Sequence, residues 1–557
     1  MSVHGSRVGI DTHRRSRGGA LNRSVIRGAS VLDGTGAPSQ TADVVVSGRR
    51  FVDIVPPGTP VDGNVLDASG LTLCPGFIDT HSHVDLAILE DPHVLPKTRQ
   101  GITTEIIGQS GISVAPLRDQ DVIDVRDQIA GFAGSPPVDW AWRSVGEYLE
   151  TVAKSQPSPN VSFLAPHGSL RRWSMGMENR APTQEELDCM VDALDDAFAE
   201  GAAGLSTGLA YAPACYAEKG ELLALAKVAA RRGRIFTAHV RSEGDRVLEA
   251  VEEFLSIGRA TGCALHLSHL KIAGKLNWDR LDDLLDLLDQ GRQEGLRITA
   301  DQYPYDAAST TLAALLPPWS LEGGTTAALH RIADPDICAR IRSDICEKDP
   351  RGWDNYWRWS GGDGIVIADI PSGRQSDLVG LTLSAAGEER GMDPLDLVFD
   401  LLLSERLGVS MISFSQNEAN VERILRQPYV CICTNGLLGG HPHPRTYGSF
   451  PRILSRFVRE RRVLDLPDAI RRMTHLPARA FGFKHRGQIA PGYFADAVLF
   501  DPKTIADRAT YSDPWQPAEG IAAVLVNGEV IIKNGEPTGN RPGRVLGQIR
   551  HSGVSPS

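Results

Sequence analysis

Short strand-like segments alternate with helical segments through most of the 557-residue chain, and this alternation limits the possible folds most strongly. The eight strand-like segments are FIDTHSH (77–83), TTEIIG (103–108), NVSFLAP (160–166), AAGLSTGL (202–209), RIFTAHV (234–240), ALHLSHL (264–270), RITADQYPY (297–305) and YVCICTN (429–435). Alternating strands and helices predict an α/β fold with a parallel sheet. Eight such units in roughly 400 residues favour a (β/α)8 TIM-like barrel over an open doubly wound sheet. A further strand-like segment, GVSMISF (408–414), is left over.

Both ends of the chain consist of short strand-like segments separated by Gly, Pro, Asp and Asn-Gly turn signals. We expect residues 24–76 and 486–540 to form one small β-sandwich domain, because chain termini often lie close together. Residues 77–485 then form the barrel. Residues 1–23 are basic but have no apolar segment of the kind found in a signal peptide, so we expect a disordered N-terminal extension.

The alternation is interrupted at residues 316–375, which fit no strand–helix unit. We expect an inserted subdomain that acts as a lid on the barrel, since long insertions of this kind are often functional. Its tryptophans, Trp353, Trp357 and Trp359, have two possible roles. They either cover an apolar acyl chain or form the subdomain's own core.

The composition excludes several classes of partner. The formal net charge of −11 argues against a nucleic-acid binder, which needs a basic surface. No run of about 18 apolar residues is present, so we expect no membrane span. Eight cysteines without framework spacing indicate a reducing compartment, and we expect a cytoplasmic protein.

Histidines cluster at the ends of the predicted strands. His81 and His83 form an HxH pair at the end of the first strand, His239 ends the fifth, and His269 ends the sixth. Residues i and i+2 of a strand point to the same side, so one metal ion could contact both members of the pair. Barrel active sites lie at the carboxyl ends of the strands. The four histidines therefore predict a metal or catalytic cluster.

Several motifs extend this prediction to a family. They are PGFIDTHSH, TGLAYAP, AHVRSEGDRVLEAVEE, SHLKIAGK, DQYPYDAAST, HPHPRTYGSFPR and APGYFADAVLFDP. Together they resemble the D-aminoacylases, or N-acyl-D-amino-acid deacylases, of the amidohydrolase superfamily. The resemblance runs from about residue 25 to about residue 540 and matches the division into domains given above.

The resemblance implies a zinc-dependent barrel that hydrolyses an N-acyl amide to a carboxylate and a free D-amino acid. His81 and His83 match the family's first metal site, and His239 and His269 match the second, tighter site. The residues that match positions holding the substrate carboxylate are Lys271, Tyr303, Ser309 and Arg445. Cations and hydroxyl groups suit that role, and an arginine can bind a carboxylate through two hydrogen bonds.

Two positions depart from the family pattern. Ser110, in GQSG, stands where the family has a cysteine zinc ligand, and a hydroxyl is a poor ligand for zinc. Asn435 stands where the family has an aspartate that binds metal and accepts a proton, which an amide cannot do. Loss of a general base typically costs roughly 10²–10⁴-fold in rate. Gln109, Ser110 or Cys433 could supply a third ligand, and Ser110 could also be a nucleophile or a turn residue.

The leading hypothesis is an amidohydrolase that cleaves an N-acylated amino acid with metal-activated water. The candidate catalytic residues are Asn435, Ser110, His81 and His83. One zinc ion is expected at His239 and His269, and the site at His81 and His83 is either filled or empty. The substrate is a small molecule with a carboxylate and an acyl amide, whose acyl group and D or L configuration stay open, as does the oligomeric state.

Two alternatives remain. The first is an enzyme diverted to acyl transfer, amide formation or cyclisation, with or without metal. The second is a non-catalytic binding protein on a decayed barrel. Other side chains that could carry protons in place of the missing aspartate are His167, His441, His443, Asp85 and Glu105.

Overall fold

The computed structural model describes residues 23–347 and 352–547. The predicted N-terminal extension therefore lies outside the described residues, apart from Arg23, which begins the first strand. The strands of the described chain are β1 (Arg23–Val31), β2 (Gln40–Ser47), β3 (Arg50–Val55), β4 (Asn64–Asp67), β5 (Thr72–Pro75), β6 (Phe77–Asp79), β7 (Ile102–Ile107), β8 (Asn160–Pro166), β9 (Gly204–Gly208), β10 (Ile235–His239), β11 (Ala264–Leu267), β12 (Ile298–Gln302), β13 (Ala308–Thr311), β14 (Ile365–Asp369), β15 (Ser410–Ser413), β16 (Val430–Ile432), β17 (Ala497–Phe500), β18 (Ile521–Val526), β19 (Glu529–Lys533) and β20 (Glu536–Pro537).

The α-helices of the same residues are α1 (Ala87–Glu90), α2 (Leu95–Thr98), α3 (Val122–Ala133), α4 (Val145–Lys154), α5 (His167–Met175), α6 (Gln184–Glu200), α7 (Lys219–Arg231), α8 (Val247–Thr261), α9 (Leu281–Gln293), α10 (Thr325–Ala333), α11 (Pro335–Cys346), α12 (Tyr356–Ser360), α13 (Leu383–Arg390), α14 (Pro394–Ser404), α15 (Glu418–Leu425), α16 (Arg445–Arg452), α17 (Leu466–Met473) and α18 (His475–Ala480). A π-helical segment, Ile453–Glu460, continues α16. None of the described helices combines the length and the apolar character needed to cross a membrane.

Eight parallel strands form the barrel, in the order β6-β7-β8-β9-β10-β11-β12-β16. These are the eight predicted strands, and the predicted barrel is confirmed. The two ends of the sheet meet where Ser82 pairs with Gly436 and the Asn435 N–H donates to the His81 carbonyl at 2.8 Å. The leftover segment 408–414 forms β15 outside the barrel.

A buried ion pair supports this junction. The Lys97 ammonium lies 2.7 Å from Asp79 Oδ2, and both side chains are completely buried. The Thr434 N–H donates to Asp79 Oδ1 at 2.9 Å, and the Lys97 ammonium also donates to the Thr434 hydroxyl. Because a buried charge requires both a partner and hydrogen bonds, these contacts hold the ends of β6 and β16 together.

Several predicted strands end earlier than their sequence pattern suggested. The first strand ends at Asp79, so His81 and His83 lie just after β6, on either side of Ser82, which still pairs with Gly436. His269 likewise follows β11, and Asn435 follows β16. Of the four histidines, His239 alone ends a strand. The expectation that both imidazoles of the HxH pair face the same side agrees with the structure, where their ring centroids are 5.1 Å apart.

Helix α6 illustrates how the sequence sets the outer layer. Thr183 accepts a hydrogen bond from the backbone of Glu186, and the Glu186 side chain returns one, which forms a capping box. The helix ends at Gly201, where φ is +120°. Leu194 and Phe198, spaced by four residues, are buried against the barrel core.

Both ends of the chain contribute to one nine-stranded sheet. Its order is β20-β19-β18-β17-β5-β1-β2-β3, with β4 paired to β1. The antiparallel pair of β5 with β17 joins the two ends. At the base of the barrel, Asn160 at the start of β8 donates to Asp496 Oδ2 at 3.2 Å and accepts from Asn527 at 2.8 Å. Arg486 forms a buried ion pair with Asp496.

The residues that lie between β12 and β16 in the sequence form a separate hydrophobic core. It surrounds the antiparallel sheet β13-β15-β14 and extends from Leu312 to Met411, beyond the range 316–375. Trp353, Trp357 and Trp359 all pack, partly buried, against this core. This contact agrees with the interpretation that the tryptophans belong to the core of the insertion.

Candidate active site

The four histidines of the sequence analysis lie together at the carboxyl end of the barrel. Ring centroids are 5.1 Å apart for His81 and His83, 4.8 Å for His81 and His269, and 4.6 Å for His239 and His269. All four are buried. The carboxyl end of β10 and the segments that follow β6 and β11 thus contribute imidazoles to one cluster.

Ser110 and Asn435 both contact this cluster. The Ser110 hydroxyl lies 3.4 Å from His81 Nε2, and His83 Nε2 donates to Asn435 Oδ1 at 3.1 Å. Their backbones are left-handed, with φ of +56° and +47°, and His269 has φ of +39°. This conformation is uncommon for residues other than glycine, and backbone strain of this kind clusters at functional sites.

Ser110 is also held by its glycine neighbours. A side chain at Gly108, where φ is +78°, would place its Cβ 2.2 Å from the Leu164 carbonyl oxygen. The turn GQSG therefore requires glycine there, and it presents Ser110 to His81 at a distance that is long for a hydrogen bond. That spacing gives little support to a serine nucleophile.

Glu243 is the site residue that the sequence analysis missed. Its Oε1 lies 2.8 Å from His269 Nδ1, and its Oε2 lies 3.6 Å from His239 Nε2. The Lys271 ammonium donates to Glu243 Oε1 at 2.5 Å and to His269 Nδ1 at 2.7 Å. The available signal was a glutamate four residues after His239 in HVRSE, but that segment follows neither strand nor helix periodicity.

Burial keeps the imidazoles neutral. It lowers the pKa of His83 to about 3, with Arg445 and Lys97 adding to the effect. It lowers the pKa of His239 to about 3 as well, against the opposing charge of Glu243. Burial alone would raise the pKa of Glu243, but His239 and Lys271 outweigh it and hold that pKa well below its usual value. The cluster therefore combines neutral imidazoles with an ionised carboxylate at neutral pH.

This donor set fits a zinc ion. Ligand atoms of His239, Glu243 and His269 all lie within 4.8 Å of one another. Two imidazoles and one glutamate are a common set in catalytic zinc sites, which keep the fourth position open. His239 Nε2 is buried and has no hydrogen-bond partner in the described chain, so it is available to a metal.

Two other candidates for the third ligand point elsewhere. The Gln109 side-chain amide donates to the Thr80 carbonyl at 2.6 Å. The Cys433 thiol lies 3.5 Å from Asp301, and burial raises its pKa well above the usual value. A ligand needs the thiolate form, so neither side chain is placed to bind the metal.

The four residues matched to carboxylate binding line the same small pocket as His239, Glu243 and His269, here called the catalytic pocket. Its lining residues are His83, Ser110, Phe132, Tyr211, His239, Glu243, His269, Lys271, Tyr303, Ala308, Ser309, Thr310, Tyr356, Asn435, Leu437 and Arg445. Glu243 is the only carboxylate among them within the described residues.

Arg445 is completely buried and lacks an acidic partner in the described chain. Its guanidinium lies 4.5 Å above the Tyr303 ring, and Nη2 donates to the Ser309 carbonyl at 2.9 Å. Nε and Nη1 have no hydrogen-bond partner among the described residues. An uncompensated buried charge is costly, and this arrangement therefore fits an anionic ligand.

The other possible proton carriers named from the sequence do not line the catalytic pocket. His167 bonds to Glu221 at 2.7 Å, and His441 to the Tyr511 carbonyl at 2.6 Å. His443 bonds to the Ala307 carbonyl at 3.0 Å. Asp85 accepts from the Ser113 hydroxyl, and Glu105 lies inside the barrel near Lys97.

A parallel barrel with imidazoles and a carboxylate at its strand ends is the arrangement of metal-dependent hydrolases. A family model described as the amidohydrolase family matches residues 64–532. The chain belongs to this family, and within it to the D-aminoacylase group.

Related proteins of known activity also place this chain in the D-aminoacylase group. An N-acyl-D-glutamate deacylase of Alcaligenes xylosoxydans xylosoxydans is 36% identical over 523 residues, which is 94% of this chain and 96% of the relative. An N-acyl-D-aspartate deacylase from the same organism is 35% identical over 529 residues and covers 94% of each chain.

Solved structures agree in fold. The N-acyl-D-glutamate deacylase of Bordetella bronchiseptica, complexed with zinc and a phosphonate that mimics the tetrahedral intermediate, has a TM-score of 0.79. It is 36% identical, and the match covers 95% of this chain and 99% of that one. A D-aminoacylase crystal structure also has a TM-score of 0.79, at 31% identity, over 94% of this chain and 99% of that one.

Proposed function

We propose that this protein hydrolyses the amide bond of an N-acyl-D-amino acid, releasing a carboxylic acid and the free D-amino acid. The observation that carries the proposal is the buried Arg445 guanidinium beside the histidine–glutamate cluster, with two nitrogens that have no hydrogen-bond partner within the described part of the chain. Cations and metal-ligand side chains in the same pocket suit a substrate with a carboxylate and an amide. The eight free cysteines are consistent with a cytoplasmic enzyme.

In this proposal Arg445 binds the substrate carboxylate through Nε and Nη1. The nearby Lys271 ammonium, 5.7 Å from the centre of the Tyr303 ring, adds positive charge on the same side. Ser309 and Tyr303 complete that end of the pocket. A fixed carboxylate leaves the amide carbonyl to face the imidazoles, and such positioning accounts for much of catalytic power.

His239, Glu243 and His269 would hold one zinc ion. When bound, zinc polarises the amide carbonyl and activates water for attack. Among the described residues, the side-chain oxygens hydrogen-bonded to His81 and His83 are the neutral ones of Ser110 and Asn435, which are weak zinc ligands. We therefore propose about one zinc per chain, in keeping with catalytic sites of three protein ligands.

Glu243 is the group we assign to proton transfer, because Asn435 cannot accept a proton. The amide of Asn435 instead accepts a hydrogen bond from His83 and fixes the orientation of that ring. The pKa of Glu243 is held low by its neighbours, which makes it a weak base. We thus expect slow hydrolysis compared with a site that has an aspartate at position 435.

A second candidate function follows from Asn435 itself. Without a carboxylate at that position, the acyl group could be passed to an acceptor other than water, in acyl transfer, amide formation or cyclisation. Product analysis separates the two candidates. Hydrolysis yields the free acid and the free amino acid in equal amounts, whereas transfer yields a new amide or ester.

The experiment measures release of free amine from N-acyl-D-amino acids, their L enantiomers, and analogues in which a carboxamide replaces the carboxylate. We expect release from the D-carboxylates. We expect Arg445→Gln to raise KM about 100-fold for them, because a charge-assisted bidentate contact is lost. The matched control is Arg452→Gln on the same helix, since Arg452 pairs with Asp507 and does not line the catalytic pocket. No release from any compound, or equal effects of the two variants, would contradict the proposal.

A further inference from the structure

A second, larger cavity lies beside the catalytic pocket, between the barrel mouth and the insertion. Its volume is about 580 Å³. Apolar side chains from both parts of the molecule line it, among them Ile112, Leu209, Leu316, Trp319 and Trp353. Cavities of roughly 300–1,000 Å³ with such walls are typical of sites for drug-sized ligands.

The large cavity shares part of its wall with the catalytic pocket. Phe132, Tyr211 and Tyr356 line both. The Tyr211 ring stands edge-on to the His239 ring, with ring centroids 5.0 Å apart. The centroid of the Phe132 ring lies 5.3 Å from that of Tyr211 and 6.3 Å from that of His83. The large cavity thus begins directly behind the imidazoles.

Several charged side chains in the cavity wall already have partners. The Arg241 guanidinium bonds to Glu253 at 3.0 Å, and that of Arg340 lies 4.1 Å above the Trp319 ring. Asp344 accepts from the Trp319 indole N–H at 2.8 Å. These charges are directed to protein groups, and the cavity suits an apolar occupant.

The layout of the catalytic pocket indicates which part of the substrate enters the large cavity. Lys271, Tyr303 and Arg445 line the catalytic pocket but not the large cavity. If Arg445 holds the carboxylate, the amide carbonyl lies toward His83 and His239. The group bonded to the far side of that carbonyl is the acyl chain, and it points past Phe132 and Tyr211.

We propose that the large cavity binds the acyl chain of the substrate and that the enzyme selects medium to long apolar acyl groups, of roughly six carbons or more. This inference rests on the proposed function, because that function supplies the carboxylate and the amide that orient the chain. An acetyl group would leave the cavity almost empty. Each methylene moved from water into apolar surroundings strengthens binding roughly threefold to fourfold.

The test uses compounds that bind but cannot be hydrolysed, so that it does not depend on turnover. Calorimetry compares N-methanesulfonyl-D-alanine with N-octanesulfonyl-D-alanine on the wild-type protein. We expect the octanesulfonyl compound to bind about 100-fold more tightly or better, given seven additional methylenes.

Two variants locate the effect in the large cavity. Ala314→Trp fills the cavity from the insertion side, and Ala210→Trp fills it from the barrel side. Either should reduce the preference for the long chain to within about threefold, and at least one should fold. Ala314→Ser is the matched control, because it adds little volume, and it should keep the preference.

The inference is overturned if the long compound binds no more tightly than the short one. It is also overturned if folded Ala314→Trp or Ala210→Trp protein keeps the chain-length preference. A third result would also overturn the inference: the tryptophan variants weaken binding of N-methanesulfonyl-D-phenylalanine more than binding of N-methanesulfonyl-D-alanine. The large cavity would then bind the amino-acid side chain and not the acyl chain. If the length preference holds but no N-acyl-D-amino acid is hydrolysed, the proposed function alone has failed.

Discussion

Asn435 and Ser110 are the two residues at which we expect this site to depart from its family. Both lie in the cluster, against His83 and His81, at 3.1 Å and 3.4 Å. Neither supplies a charged ligand or a base. We therefore expect these two side chains to limit the rate of amide hydrolysis.

We predict that Asn435→Asp combined with Ser110→Cys increases deacylation. The aspartate restores a proton acceptor, and the cysteine restores a thiolate ligand, so kcat should rise about 10- to 100-fold. The measurement is release of the free D-amino acid from one N-acyl-D-amino acid. Asn435→Ala with Ser110→Cys is the control and should show no rise. An unchanged kcat in the folded aspartate–cysteine variant would mean that the two departures do not limit hydrolysis.

The sequence could predict the site residues that end a strand or follow one closely. His239 ends a strand, and His81, His83 and His269 follow strands closely, so barrel geometry brings them together. Glu243 could not be found this way. It follows β10 in an irregular segment, and its contact with His269 depends on how that segment folds back.

Strand β7 carries an acidic side chain, Glu105, into the interior of the barrel. Glu105 is completely buried inside the barrel, and neither of its oxygens has a hydrogen-bond partner in the described chain. Burial raises its pKa to about 7, although the Lys97 ammonium lies 3.7 Å away and opposes the shift. The folded protein therefore holds this proton to higher pH than the unfolded chain does.

We predict that Glu105→Gln stabilises the protein more at pH 8 than at pH 4. Between about pH 4.5 and pH 7 the unfolded chain loses the proton while the folded protein keeps it, so wild-type stability falls as pH rises. The gain at pH 8 should exceed that at pH 4 by about 1–3 kcal/mol. Urea unfolding at both pH values measures it, with pH 4 as the internal reference. An equal effect at the two values would show that Glu105 ionises normally.

The eight barrel strands could be predicted as elements, but their ends could not. Apolar runs and turn residues located each strand to within a few residues. The turns at Ser110, His269 and Asn435 have φ between +39° and +56°. Asparagine and histidine adopt such a φ more often than most residues, but their presence alone does not predict it. Packing of the loops over the barrel mouth imposes that conformation, and a local pattern cannot reveal it.

At the scale of the whole molecule, the chain ends form one sheet that is bonded to the base of the barrel. Sequence patterns predicted that both ends are β-rich, and the proximity of termini suggested the pairing. The sheet β13-β15-β14 was not predicted, because Ala308 pairs with Ser413 from a distant part of the sequence. Only the three-dimensional path of the insertion brings them together.

We predict that Asp496→Ala destabilises the whole molecule. The substitution leaves the buried Arg486 guanidinium without its ion partner and removes acceptors from Asn160 and the Asn527 backbone. The free energy of unfolding should fall by about 3–5 kcal/mol, the usual result of breaking a buried ion pair. Thermal and urea unfolding measure it, and the exposed Asp513→Ala is the control. A loss below about 1 kcal/mol would mean that this network does not join sheet to barrel.

The decisive experiment measures D-amino-acid release as a function of bound zinc, for the wild-type protein and Glu243→Gln. We expect release to rise with zinc up to about one ion per chain. We expect Glu243→Gln to bind zinc more weakly and to lose activity about 100-fold or more even when zinc is saturating, because ligand and base are lost together. Release that does not depend on zinc, or a fully active Glu243→Gln variant, would contradict the account.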